Sequence, residues 1–164
     1  MAFNVRRVVT GHDRSGKAVV RIDDVGANRA AGRANQMRQN IWTTNDVPVA
    51  FSEDGEDPSF EDKGAREIGT TIRGGSVFRV VEFGPGVAPR NHRTDSIDYA
   101  VVMSGEIDME MDGAVVHLKA GDVLVQRGTI HNWTNPGKEP CMIAFVLVAA
   151  KPVERAGKVL GAQG

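Results

Sequence analysis

GVAPRNHRTDSIDYAVVMSG, from Gly86 to Gly105, decides how the rest of the chain is read, together with its counterpart GDVLVQRGTIHNWTN, from Gly121 to Asn135. Side chains alternate along an extended strand. A strand begun at His92 therefore puts His92, Thr94, Ser96, Asp98, Ala100 and Val102 on one face. That face carries an imidazole, a carboxylate and then apolar packing. The counterpart reverses the order: a glycine-started apolar run, a Gly-Thr turn, then His131 and Trp133 at i, i+2. Two segments that each bring a histidine to a strand end predict one composite site.

The first stretch resembles the first motif of the cupins, which runs glycine, five residues, His-x-His, three or four residues, Glu, six residues, Gly. Gly86, His92, Asp98 and Gly105 fall on it in register. The second is similar to the second cupin motif, Gly-x5-Pro-x-Gly-x2-His-x3-Asn, through Gly121, Gly128, His131 and Asn135. The resemblance spans Ser76 to Val148 and implies an all-β fold, the double-stranded β-helix or jelly-roll barrel. It also implies that His92, Asp98 and His131 converge as catalytic groups and as ligands of a divalent metal ion. Two imidazoles and a carboxylate suit Fe(II), Mn(II), Zn(II) or Ni(II). The wider wording is similar to a subgroup of small single-domain cupins of bacteria and fungi.

Three positions depart from the pattern. Thr94 stands where the second histidine of His-x-His would be, so a ligand is lost or weakened. Asp98 replaces the glutamate and reaches one methylene less far. The second motif is one residue short, with Arg127 where a proline would be. Three chemistries follow from these residues. One is a metal-dependent oxygenase, lyase or isomerase acting on a small oxygenated metabolite. A second is a metal-free dehydratase, isomerase or decarboxylase in which a histidine beside a carboxylate serves as acid or base. The third is a binding module without turnover. Around the three central residues, Thr94, Gln126, Trp133, Arg127 and Trp42 are candidates to line a substrate pocket, and Arg90 and Arg93 flank the first histidine.

At 164 residues the chain is long enough for one well-buried core and too short for two ordinary domains. With 20 basic and 21 acidic residues, it lacks the charge excess that nucleic acid or an anionic membrane attracts. The expected partners are small molecules or a second copy of the chain. The single cysteine, Cys141, excludes an intrachain disulfide and reads as a small buried hydrophobe. There is no apolar run of about 20 residues, and MAFNVRRVVTG lacks a signal-peptide apolar region, so a cytoplasmic location is expected. No phosphate loop, dinucleotide fingerprint or nucleophile elbow is present, which disfavours nucleotide-dependent and serine-based chemistry.

Along the chain, Val5 to Thr10 and Ala18 to Ile22 read as strands around the turn GHDRSGK, with His12 in the solvated turn. Residues Asp24 to Gln39 read as an irregular connection with room for one helical turn. Ile41 to Thr44 gives a short strand bearing Trp42, and the acidic run from Ser52 to Lys63 a solvated loop. Ser76 to Phe83 opens the barrel. Ile107, Met109 and Met111 alternate with Asp108 and Glu110, Asp112-Gly113 marks a hairpin, and His117 on the return strand points to the wet side. Pro140 to Ala149 is apolar enough to be covered on both faces. The last residues, from 150 to 164, read as a short helix or frayed end. The first 45 residues hold strands with no evident partner in the barrel, an arm that predicts a homodimer.

Overall fold

A computed structural model of the chain describes residues 3–26, 29–49, 51, 62–64, 66 and 68–164. Among them every regular element is a strand. They are β1 (Arg6–His12), β2 (Ala18–Val25), β3 (Arg29–Ala31), β4 (Gln36–Thr44), β5 (Ser76–Phe83), β6 (Ser96–Ser104), β7 (Glu106–Met111), β8 (Ala114–Lys119), β9 (Val123–Arg127), β10 (Asn132–Thr134), β11 (Cys141–Ala149), β12 (Val153–Arg155) and β13 (Lys158–Leu160). A six-stranded sheet in the order β3-β4-β5-β11-β6-β9 faces a three-stranded sheet in the order β10-β7-β8. This is a jelly roll, and among the described residues no helix is long and apolar enough to cross a membrane.

Alternation places the core. On β6, Ser96, Asp98, Ala100 and Val102 are buried while Tyr99, Val101 and Met103 face solvent, the parity expected from the sequence. The inward residues meet Val77, Val81, Phe83, Ile143, Phe145 and Leu147 of the same sheet, and Ile107, Met109 and Trp133 from the facing one. Two motif glycines serve backbone geometry. Gly105 has φ 73°, and a Cβ there would lie 2.5 Å from the Pro140 carbonyl oxygen. Gly128, at φ 61°, turns the chain between β9 and the segment carrying His131. The motif asparagine is likewise structural. Asn135 donates to the carbonyls of Phe83 and Glu139 and accepts from the Gly137 amide, which fixes the turn after β10.

The ends of the chain differ from the sequence reading. The stretch expected to be irregular contains the end of β2, β3 and the first half of β4, which pairs with β5 from Gln36 to Thr44. Its polar side chains hid a strand because the inward face lines a polar cavity and offers no apolar stripe. The tail expected to be a helix or frayed end forms the hairpin β12–β13, and Gln163 pairs with Arg93 through the backbone. β1 and β2 pair with each other, and the chain before them lies on its own barrel. Phe3 and Val5 pack with Met37, Ile41, Val80, Met142 and Ala144 on the outer face of the large sheet. That packing explains why β11 is apolar on both faces, and it removes the premise that the arm lacks a partner within the chain. The acidic run lies, through residue 61, outside the described residues.

Candidate active site

The chain entering β6 and the chain entering β10 run side by side. His92 and His131 exchange both backbone hydrogen bonds, each 2.9 Å, which brings their rings to a centroid separation of 4.2 Å. Each ring is oriented by its own backbone. Nδ1 of His92 lies 3.0 Å from the carbonyl oxygen of Arg90, and Nδ1 of His131 lies 3.0 Å from that of Thr129. A carbonyl only accepts, so each Nδ1 carries the hydrogen, and in the neutral ring Nε2 keeps its lone pair. Burial lowers the pKa of both rings. His131 is brought down to about 4, with His92, Arg90 and Arg33 adding to the effect, and His92 shifts the same way. Both imidazoles are therefore neutral bases at physiological pH.

They border a cavity of ≈ 80 Å³. Trp133 forms part of its wall, with ring centroids 6.0 Å from His131 and 5.8 Å from Phe145. Asp98 and Gln126 face each other across β6 and β9 and both reach the cavity. Burial raises the Asp98 pKa, opposed by the Ser96 hydroxyl bonded to Oδ1 and by the charge of Arg79. Gln126 donates to the Met109 sulfur at 3.6 Å, and its Oε1 has no hydrogen-bond partner among the described residues.

The remaining wall is cationic. Arg38 on β4, Arg79 on β5, and Arg33 and Arg90 from the connections line the same space, with Gln36 and Thr70. Arg79 is only 6% exposed and donates from Nη2 to the Gly69 carbonyl at 2.6 Å, while its Nε is buried without a partner. Burial and neighbouring Arg38 lower its pKa to about 10, so it remains charged. Arg33 likewise has Nε and Nη1 buried without partners. Arg90 donates from Nη2 to the Gly164 main-chain oxygen at 2.8 Å, and among the described residues none of the other three guanidinium groups lies within salt-bridge distance of a carboxylate.

Of the residues singled out in the sequence, His92, His131, Asp98, Gln126, Trp133 and Arg90 meet at the cavity. Thr94, Arg127 and Trp42 do not. Thr94 is buried and its Oγ1 lies 2.8 Å from the Ser96 hydroxyl, joining the chain that ends on Asp98. Arg127 is exposed opposite Ile97, and Trp42 sits opposite Phe78 on the outer face of the large sheet. A register shift between Asn40 and Trp42 decides that parity, and no residue pattern announces it. Arg33, Arg38 and Arg79 were missed for another reason. Arg79 shares a strand face with Val77, Val81 and Phe83, so a cation on an apolar face was the available signal. Arg38 lay in the stretch read as irregular.

A divalent ion held as the motif implies needs the carboxylate beside both imidazoles. Among the described residues no group of three His, Cys, Asp or Glu side chains converges in that way. Asp98 is engaged by Ser96 and faces Arg79, six residues along the chain from His92. The donor set present is two imidazole Nε2 atoms in a cation-lined cavity, which does not fit a three-ligand metal site.

A jelly roll with a histidine pair at its mouth defines a small cupin-type barrel protein, and the comparisons agree. A family profile described as Cupin domain matches residues 79–148. The chain is 38% identical to phomopsin biosynthesis cluster protein C' of Diaporthe leptostromiformis, covering 94% of this chain and 84% of the relative. It is 35% identical to the cupin-domain-containing oxidoreductase fogC of Aspergillus ruber, over 94% and 77% of the two chains. The protein belongs to the cupin family. Among solved structures, the cupin domain of Schizosaccharomyces pombe Cnp3 aligns with a TM-score of 0.52 at 14% identity, over 88% of this chain and 89% of that one. An uncharacterised double-stranded β-helix protein of Klebsiella pneumoniae aligns with a TM-score of 0.51 at 24% identity, over 79% and 90%. At those identities the likeness concerns the fold.

Proposed function

We propose that this cupin is an enzyme that moves a proton on a small oxygenated metabolite bound at the barrel mouth, in an isomerisation or a dehydration. The observation that supports this reading is the pair of neutral imidazoles, each with Nδ1 tied to a carbonyl and Nε2 left basic. One Nε2 takes the proton from a carbon next to a carbonyl, the C–H electron pair becomes the carbon–carbon double bond, and the carbonyl π pair moves onto oxygen as an enolate. A guanidinium of the cavity wall balances that charge. The imidazolium then returns the proton to the neighbouring carbon or to a departing hydroxyl, so no external oxidant or reductant enters.

A second reading follows from the names of relatives. Several are called cupin-domain-containing oxidoreductases, and three are named for biosynthesis clusters. Under that reading dioxygen is the oxidant and a divalent ion is required. The two separate in one experiment. The protein is incubated in D2O under nitrogen, with a chelator, with a panel of simple ketones, aldehydes and 2-oxo acids, and exchange at the carbon next to the carbonyl is followed by NMR. Exchange that His131→Ala abolishes supports proton transfer. Absence of exchange, with oxygen consumption that requires added Fe(II), overturns it.

A further inference from the structure

Arg7 and Arg79 are equally buried, each 6% exposed, and their surroundings differ. Arg7 is met by two carboxylates, those of Asp24 and Asp62. Arg79 is met by a carbonyl and by the cavity. A buried cation is costly unless an anion accompanies it. At Arg79 the described residues supply only Asp98, whose own burial opposes its ionisation, while Arg33, Arg38 and Arg90 add three more cations around the same space, of which Arg90 donates from Nη2 to the Gly164 main-chain oxygen. Arg38 and Arg79 are diagonal neighbours on the β4–β5 pair, Arg38 lying opposite Val81 and Arg79 opposite Asn40, whereas Arg90 stands two residues before His92 and shares the cavity wall with Arg33.

We propose that the cavity is built for a substrate carrying two carboxylate groups, one held by Arg33 and Arg90 beside the histidines and the other by Arg38 and Arg79. The guanidinium fork matches a carboxylate bidentately, and the unpartnered Nε and Nη1 of Arg33 and Nε of Arg79 are donors left for it. The two neutral bases line the same cavity as both clamps, so a C–H bond made acidic by a carbonyl on the chain joining the carboxylates would come within their reach. The assignment rests on the reading of this cavity as the substrate site.

Binding is measured by calorimetry on the full chain with oxalate, malonate, succinate and glutarate, against acetate, propionate and butyrate. The expected result is that at least one dicarboxylate binds about tenfold or more tightly than every monocarboxylate. Arg33→Gln and Arg38→Gln should each remove about tenfold or more of that affinity, with the melting temperature held. Arg33→Lys keeps the charge without the fork and should fall between native and Arg33→Gln. Equal affinity for the two series, or unchanged affinity in both glutamine variants, overturns the proposal. These probes are read at equilibrium, so the two ideas fail separately. If dicarboxylates bind with this arginine dependence and no histidine-dependent exchange is found, the clamp stands and the proton-transfer reading falls. Histidine-dependent exchange without any dicarboxylate preference gives the reverse.

Discussion

The arm and the mouth of this barrel use arginine in opposite ways. In the arm, Arg6 and Arg7 are matched across the β1–β2 pair by Asp23 and Asp24, and Arg7 also reaches Asp62 and the Ile41 carbonyl. At the mouth, four arginines share one cavity with a single carboxylate side chain among the described residues, that of Asp98, and Arg90 has a further partner in the Gly164 main-chain oxygen. The first arrangement is complete within the chain and joins a hairpin to the sheet. The second lacks anions, and buried groups without partners mark where a ligand's chemistry is expected. Burial alone would have ranked Arg7 and Arg79 together; the partners distinguish structure from site.

The largest effect that sharpens this contrast lies on the histidine wall of the mouth. His131→Ala should lower turnover by about 10² to 10⁴, the usual range for removing a general base, with a smaller change in affinity. Single-turnover and steady-state kinetics on the substrate found by the exchange panel check it.

Acid should weaken the mouth before the arm. His131 has a folded pKa of about 4 against about 6.5 in the unfolded chain, so between those values the unfolded state binds more protons and stability falls as pH falls. The full difference is about 3 kcal/mol below pH 4, and His92 contributes with the same sign. Asp98 has a raised pKa and works oppositely, gaining stability as pH falls, which makes the net loss smaller. Urea melts between pH 7 and pH 4 measure the slope; a flat profile retained after Asp98→Asn would contradict the assignment of neutral buried imidazoles.

Within the arm, Arg7→Met should cost about 1–3 kcal/mol, the lower part of the range for a broken ion pair, because Asp24 and Asp62 keep contact with water. Arg79→Met should leave the unliganded protein as stable as before or more so, since it removes a buried cation that has no ion-pair partner. Thermal melts of the two variants side by side test the comparison directly: equal destabilisation would mean that the mouth is as complete as the arm. Smallest of all, Arg127→Ala on the exposed face of β9 should change stability by no more than about 0.5 kcal/mol and leave anion binding intact.

By itself the sequence determined the barrel and half of its site. Period-two alternation from Ser96 to Ser104, turn glycines at Gly105 and Gly128, and histidines placed just before two strands are local features, and locally encoded geometry survives folding unchanged. His92, His131, Asp98, Gln126 and Trp133 were legible for that reason. Tertiary structure alone decided the rest. The separation of Asp98 from the histidines depends on where pairing begins, with His92 bridged to His131 while Asp98 lies inside β6 against Gln126 and Leu147. The outward turn of Trp42 depends on one register shift in β4. The arginine wall gathers residues 33, 38, 79 and 90 from separate strands and connections. No short-range pattern records such a meeting, because the field of a cavity is the sum of charges that only the closed sheet brings together.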